Sequence, residues 1–402
     1  MALMAVAEAL QRVLADAKPL PPETVNLDDA LGRVLTDDVV ALRTQPPAAV
    51  SAMDGYAVRG KDIAKAPVTL KVIGEVAAGH PFTGTVGPGE AARIFTGGVI
   101  PAGSDTVVIQ ELATQDANGV TIQKPTALAR NVRAEGIDFA QKQILLRKGR
   151  RLSDRDLMLA AAMNYPRLNV HRKPKVGVLG TGDELVPPGS TPETCEIVFS
   201  NGFALGALAR NNGAEVRDLG IAHDRIEDIT AAVHRARELG ADILVTSGGV
   251  SVGEHDLVQR ALTTEGLELS FWRVALRPGR PMMHGRLGDM QVLGVPGNPV
   301  SSYVCGFLFL VPLIRKLAGR TDLTHLPQSA RLGSDLPAND ERADYLRATL
   351  HEGPNGPVAT PLPAQDSSLM APLAKADCLL IREPHAPAAA AGSDCVILKL
   401  GL

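Results

Sequence analysis

The sequence predicts a multidomain protein that combines an α/β domain with separate β domains, and three observations carry that reading. Between residues 171 and 320, short apolar runs alternate with segments of helical periodicity, as in a parallel sheet with right-handed crossovers and helices on both faces. Residues 43–141 and 321–402 instead hold short strand-like runs divided by Gly/Pro turns, with no long helical pattern. Finally, 402 residues with 39 glycines and 29 prolines are more than one core organises, and they imply many turns.

Taken in order, the chain opens on an amphipathic helix, residues 4–16, with Met4, Ala7, Leu10, Val13 and Leu14 on one face. Pro19, Pro21 and Pro22 end it, and a shorter helix follows with Asn26 as its cap, Asp29 in a capping-box-like place and Gly32 as its stop. Strands are expected within 68–76, 91–97, 105–112 and 119–123. Ser153 then opens a helix that Pro166 terminates. If it packs on the first helices, residues 1–42 and 142–170 form one elongated N-terminal domain, helical and mixed, and 43–141 is a β domain inserted in it.

From Lys175 the expected strands are 175–181, 215–222, 242–246, 269–276 and 290–295, with helices at 202–211, 226–239, from 257, and 299–317. Five more strand-like runs between 329 and 400 make a small barrel or sandwich.

A net charge of −3 and 3% aromatic residues argue against a nucleic-acid surface. Four scattered cysteines without a CxxC pair argue against a zinc ribbon or disulfide framework and fit a reducing cytosol. No membrane span is expected, because the most apolar run, 303–314, is short and interrupted by Gly306 and Pro312. The N-terminus lacks the basic region of a signal peptide.

The chemistry gathers at the ends of the α/β strands, where open sheets bind ligands. Strand 242–246 runs into Ser247-Gly248-Gly249, then Gly253, Glu254, His255 and Asp256, before a helix begins. Glycines let backbone N–H groups approach an anion, and a helix N-terminus adds partial positive charge. Two carboxylates in such a turn repel a phosphate unless a divalent cation lies between them. Taken alone, the loop reads equally as a solvated turn with capping acids. Its neighbours tip the balance: Thr181-Gly182-Asp183-Glu184, His223-Asp224, and Pro296-Gly297-Asn298-Pro299-Val300-Ser301 also end strands. Together they suggest a metal-assisted phosphate site. Arg277 and Arg280, in RPGRP, add guanidiniums on a stiff backbone that suit a tetrahedral oxyanion. Asp54 beside Gly55 reads as a tight turn, and Arg342 and Asp344 share one face of a strand with Tyr345 and Arg347 on the other.

The segments SAMDGYAVR (51–59), TGGVIPAGSDTVV (96–108), GTGDEL (180–185), SGGVSVGEHD (247–256), RPGRP (277–281) and PGNPVSS (296–302) resemble, in order and spacing, the molybdopterin molybdenumtransferase family. That family includes bacterial MoeA and the E domains of gephyrin and its plant counterpart. The resemblance implies a cytoplasmic, L-shaped homodimer of four-domain subunits, with an α/β domain of the molybdopterin-binding type. The implied reaction takes adenylylated molybdopterin and molybdate, cleaves the pyrophosphate bond with Mg²⁺, and releases AMP and molybdenum cofactor. The upstream adenylyltransferase and acceptor molybdoenzymes are candidate partners. Asp54 and Thr96 of one subunit are implied to face the α/β domain of the other. Glu184, Asp224 and Asp256 match positions tied to Mg²⁺ and the pyrophosphate; Arg277, Arg280, Ser301, Arg347 and Ser367 match oxyanion-binding positions; Asp138 matches an acid needed for activity.

Three departures stand out. Arg277 and Arg280 replace the more usual lysines, Phe199 stands where an Asp or Asn is usual, and Gln365-Asp366-Ser367 replaces Gln-Gly-Ser. Rival readings are a molybdopterin adenylyltransferase, which shares the α/β domain but lacks the flanking Asp54 and Arg347, and a gephyrin-like scaffold, for which the 402 residues hold no linker or second module.

Overall fold

The computed structural model describes residues 3–249, 257–354 and 356–401. Its centre is a six-stranded sheet in the order Glu215–Ala222, Lys175–Thr181, Ile243–Ser247, Met290–Val295, Met283–Leu287, Glu268–Trp272. The first four strands are parallel; Met283–Leu287 runs antiparallel to both its neighbours, so Glu268–Trp272 again runs with the first four. The sheet is therefore mixed, where the sequence suggested a parallel one. The Met283–Leu287 strand escapes sequence reading because His284 and Arg286 interrupt its apolar pattern. His284 is nevertheless buried, and its Nε2 meets Gln291 Oε1 on the neighbouring strand at 3.0 Å.

Strand Lys175–Thr181 comes first in the chain, yet its successors flank it on opposite sides. That reversal makes a crevice at the strand ends, the place where open sheets bind ligands. Helices Asn201–Asn211 and Pro299–Leu317 cover one face through Leu205, Ala209, Val304 and Leu313. Helices Ile226–Glu238 and Leu257–Thr264 cover the other through Ile229, Val233, Val258 and Leu262.

The Pro299–Leu317 helix is long and apolar enough to cross a membrane by length and composition, but 83% of that stretch is buried inside the fold. It is a core helix. Gly306 and Pro312 do not break it. Pro312 has no N–H and its ring crowds the carbonyl four residues back; the chain widens to a π-helical turn over Gly306–Leu310, where the Val311 N–H donates to the Gly306 carbonyl.

The helix Val6–Ala15 buries Ala9 and Val13 and packs, with Met4, Val6 and Leu10, in the same core as Val274 and Leu313. Residues 30–41 and 139–170 share a different core built on Leu35, Val39, Phe139, Leu146 and Val170. Between the stretches expected to be helical lies a strand, Pro22–Asn26, paired with Arg167–His171; the short helix shrinks to a 3₁₀ turn, Leu27–Asp29. Ser153 caps the Asp154–Ala162 helix in a reciprocal capping box with Asp156.

Residues 50–133 hold a six-stranded sheet in which Gly55–Val58 pairs with both Glu90–Ile94 and Thr106–Ile109. At the C-terminal end, Ala343–Gly353, Gly356–Pro361, Gln328–Leu332, Asp394–Lys399 and Cys378–Arg382 close into a barrel, because Ala343–Gly353 also pairs with Cys378–Arg382. A two-residue strand, Leu276–Arg277, joins Ala343 and Asp344 and ties the barrel to the central sheet.

Candidate active site

A cavity of about 870 Å³ opens at the crevice. Of the residues singled out in the sequence, Thr181, Gly182, Glu184, Asp224, Ser247, Gly248, Gly249, Pro296, Gly297 and Asn298 line it. The chain brings them together by ending parallel strands side by side: Gly180 registers with Ser247, and Ser247 with Val295. Gly248 and Gly249 turn at φ +101° and +63°, against Thr181. A Cβ on Gly248 lies 2.2 Å from the Thr181 carbonyl oxygen, so only glycine passes there.

The cavity offers donors without partners. The N–H groups of Gly249, Gly297 and Asn298 carry no hydrogen bond among the described residues. Thr181 Oγ1 is buried and likewise unpaired. Its charges are one-sided: Glu184 and Asp224 are the lining carboxylates, and no Lys, Arg or His lines it among the described residues. Neither carboxylate has a side-chain hydrogen bond among those residues.

Other members of the constellation hold the walls. Asp183 does not line the cavity; its Oδ1 accepts from the Asp224 N–H at 3.1 Å and lies 3.3 Å from His223 Nδ1, fixing the turn that presents Asp224. Ser301 is buried behind the cavity in the first turn of its helix. Ser367 accepts from Asn298 Nδ2 at 2.8 Å, and its carbonyl accepts the Val300 N–H at 3.0 Å, so it caps that helix.

Asn201 went unselected in the sequence. Its Nδ2 donates to Ser247 Oγ at 2.9 Å and to the Gly297 carbonyl at 2.7 Å, stapling two of the loops. The signal was an asparagine opening a helix directly after a strand end. Phe199, the residue that replaces an expected acid or amide, lines the cavity too. Its ring fills the space that side chains on Gly180 and Gly202 need, with virtual Cβ positions 2.7 Å from it.

The arginines lie elsewhere. Arg277 lines a separate cavity of about 390 Å³, and its guanidinium is spent on Asp344 through Nε at 2.5 Å and through Nη2, on Asp340 at 2.9 Å and on Asn339 at 2.9 Å. Hydrogen bonding to Asp344 raises its pKa further. Bonds from Arg342 hold the Asp340 carboxyl down at about 2. Arg347 is buried, and its donors go to the carbonyls of Asp366 at 2.9 Å, Leu369 at 3.1 Å and Ala364 at 3.1 Å, and to Gln365 Oε1 at 3.3 Å. In this chain both guanidiniums already have partners within the fold. Arg280 is exposed next to Pro281, which lines the large cavity.

Asp54 and Thr96 come together away from the cavity. Asp54 Oδ1 accepts both the Thr96 N–H and its hydroxyl at 2.8 Å, and these bonds lower the Asp54 pKa. Asp138 is exposed in a turn where its N–H donates to the Gln45 carbonyl at 3.1 Å. Glu254 and Asp256 lie outside the described residues. Among the described residues no three His, Cys, Asp or Glu side chains gather as a metal cage. Glu184 and Asp224 nevertheless suit Mg²⁺, which takes one or two carboxylates and completes its shell with substrate phosphates and water.

Three family profiles match the chain in succession: the MoeA N-terminal region (domain I and II) over residues 4–164, a probable molybdopterin binding domain over 177–316, and the MoeA C-terminal region (domain IV) over 329–400. The chain is 33% identical to the molybdopterin molybdenumtransferase of Haemophilus influenzae, covering 94% of each protein. It is 36% identical to that of a Nostoc species, over 82% of this chain and 77% of the relative. Among solved structures, the molybdopterin biosynthesis MoeA protein of Pyrococcus horikoshii superposes with a TM-score of 0.86 at 30% identity, over the full length of both chains.

Proposed function

The chain belongs to the molybdopterin molybdenumtransferase family, a group of transferases of molybdenum cofactor biosynthesis, and from that premise we propose that its large cavity takes adenylylated molybdopterin for Mg²⁺-dependent insertion of molybdate. The observation that carries this is the cavity's charge. Two carboxylates and no cationic side chain line it among the described residues, beside a row of unpaired N–H donors. A pyrophosphate entering alone meets repulsion of roughly 4 kcal/mol per pair of unit charges 4 Å apart at an effective dielectric of 20. A divalent cation reverses that sign.

In this reading Glu184 and Asp224 hold Mg²⁺, with Asp256 as the further ligand expected from the sequence. The ion, when bound, neutralises the pyrophosphate and its leaving oxygen. The chain's own part is positioning. The Gly249, Gly297 and Asn298 N–H groups cradle phosphate oxygens, Thr181 Oγ1 donates a further hydrogen bond, and Asn201 fixes the two loops relative to each other. Phe199 supplies an apolar wall where a polar contact is usual.

Asp54 and Thr96 do not line their own chain's cavity. Thr96 is exposed and Asp54 half-buried, beside Met53, which is 45% exposed. We assign them to the cavity of a second copy in a cytoplasmic homodimer, where the ionised Asp54 contributes to the reaction.

Incubation of the protein with adenylylated molybdopterin, Mg²⁺ and molybdate tests the reading by AMP release. Release that requires both Mg²⁺ and molybdate, and that Glu184→Gln abolishes, is expected. Equal release without molybdate sinks the insertion step.

A further inference from the structure

A second cavity, of about 320 Å³, lies where residues 31–34, 151, 171–173, 210–213, 318 and 320 meet. Arg33, Arg151, Arg172, Lys173, Arg210 and Arg320 all line it, and among the described residues no Asp or Glu does. For a chain of net charge −3 this is a marked concentration of one sign.

Some of that charge is answered from outside the cavity. Arg33 pairs with Glu23, Arg172 with Asp242 and Arg320 with Asp322. Two helices, Asn201–Asn211 and Pro299–Leu317, also end at the cavity. Each C-terminus carries roughly half a negative charge. Three carboxylates and two helix ends against six cations leave about two positive charges unmatched.

The unmatched groups are identifiable. Lys173 and Arg210 have no ion-pair partner among the described residues, and Arg151 reaches only the Gly32 carbonyl, at 3.4 Å. Burial, and then the charge of Arg320, lowers the Arg151 pKa, so the guanidiniums repel one another where they stand. Capping of helix ends explains part of the cluster and not the surplus.

We infer that this cavity is a binding site for a tetrahedral dianion of the phosphate class, separate from the Glu184 cavity, that bridges the N-terminal region to the central sheet. Guanidinium forks match such an oxyanion in charge and geometry. The site's volume suits inorganic phosphate or the phosphate of a small monoester.

Calorimetric titration of the full chain with inorganic phosphate, without divalent cations and at fixed ionic strength, tests it. Under these conditions the Glu184 cavity repels anions. Wild type and Glu184→Gln should bind phosphate alike, and Arg151→Ala/Arg210→Ala should weaken binding at least tenfold. Both arginines are exposed, so circular dichroism of the double variant should match wild type; Arg210→Ala alone serves if it does not. Titration with a phosphate monoester separates the two sources: similar affinity means the phosphate group is what is read. Binding to the arginine variant within twofold of wild type overturns the inference, as does chloride competing equally with phosphate.

Discussion

Gly248→Ala is the sharpest test of how the large cavity is built. At φ +101° an L-residue is strained by roughly 1–3 kcal/mol. The added Cβ falls 2.2 Å from the Thr181 carbonyl oxygen, where real Cβ atoms stay beyond 3.0 Å. The neighbour is backbone at the end of a central strand, so relief requires the two strand ends to part by nearly an ångström. Forcing a packed site apart in this way costs a further 1–3 kcal/mol or so. A loss of about 3 kcal/mol lowers the melting temperature by roughly 6–12 °C for a domain of this size. Gly297→Ala is the matched control: its Cβ meets only Gly248 Cα, at 3.6 Å, which is ordinary contact. Thermal unfolding of both variants, with nucleotide binding measured alongside, decides the matter. If Gly248→Ala and Gly297→Ala melt within a degree of each other, the close approach of Gly248 to Thr181 is not what shapes the cavity.

Arg347→Met should destabilise the protein by about 3–5 kcal/mol, because it leaves the Ala364, Asp366 and Leu369 carbonyls without their donor. Limited proteolysis should cut near residues 362–369 first, and a loss below 1 kcal/mol returns Arg347 to the pool of free oxyanion ligands. Asp54→Asn keeps an oxygen for both Thr96 donors but removes the charge, so melting should hold while turnover falls about a hundredfold; near-normal turnover removes Asp54 from the site. His325 stacks on Phe307 with ring centroids 3.5 Å apart, and burial lowers its pKa to about 4. The unfolded chain titrates near 6.5, so the stabilisation from the neutral ring is complete above that value and is lost as pH falls through about 4. Allowing for solvent screening, it amounts to about 1–2 kcal/mol. Urea midpoints of wild type and His325→Gln should converge between pH 7.5 and 4.5; a pH-independent gap assigns the effect to another group.

What was legible in the sequence was what short-range pattern encodes. The strands Lys175–Thr181, Ile243–Ser247 and Met290–Val295 are nearly continuous apolar runs, as strands buried on both faces must be, and their ends mark the cavity. Met283–Leu287 lacks that pattern, since His284 becomes acceptable in the core only through Gln291 on the next strand. Gly306 and Pro312 look like breaks until the π-helical turn absorbs them. The partners of the arginines were illegible for the same reason on a larger scale. Nothing near Arg277 announces Asp344, 67 residues on, and nothing near Arg347 announces that a loop will wrap its guanidinium in carbonyls.

The consequence is a division of labour between the acids and the arginines. In the motifs, the acids point to a cation beside the pyrophosphate and the arginines to a separate basic pocket for a tetrahedral dianion. In the fold, the acids of the large cavity stand without cationic side chains among the described residues. Arg277 is matched by carboxylates and Arg347 by carbonyls. Under the proposed function, a pyrophosphate therefore gains little from the described side-chain charge of the large cavity, and the backbone donors supply geometry more than net attraction. In that proposal anion and divalent cation favour each other's binding by the same factor, since linkage is reciprocal. The same proposal makes the carboxylates a filter as well as a support, since their charge opposes phosphates that carry no coordinated metal.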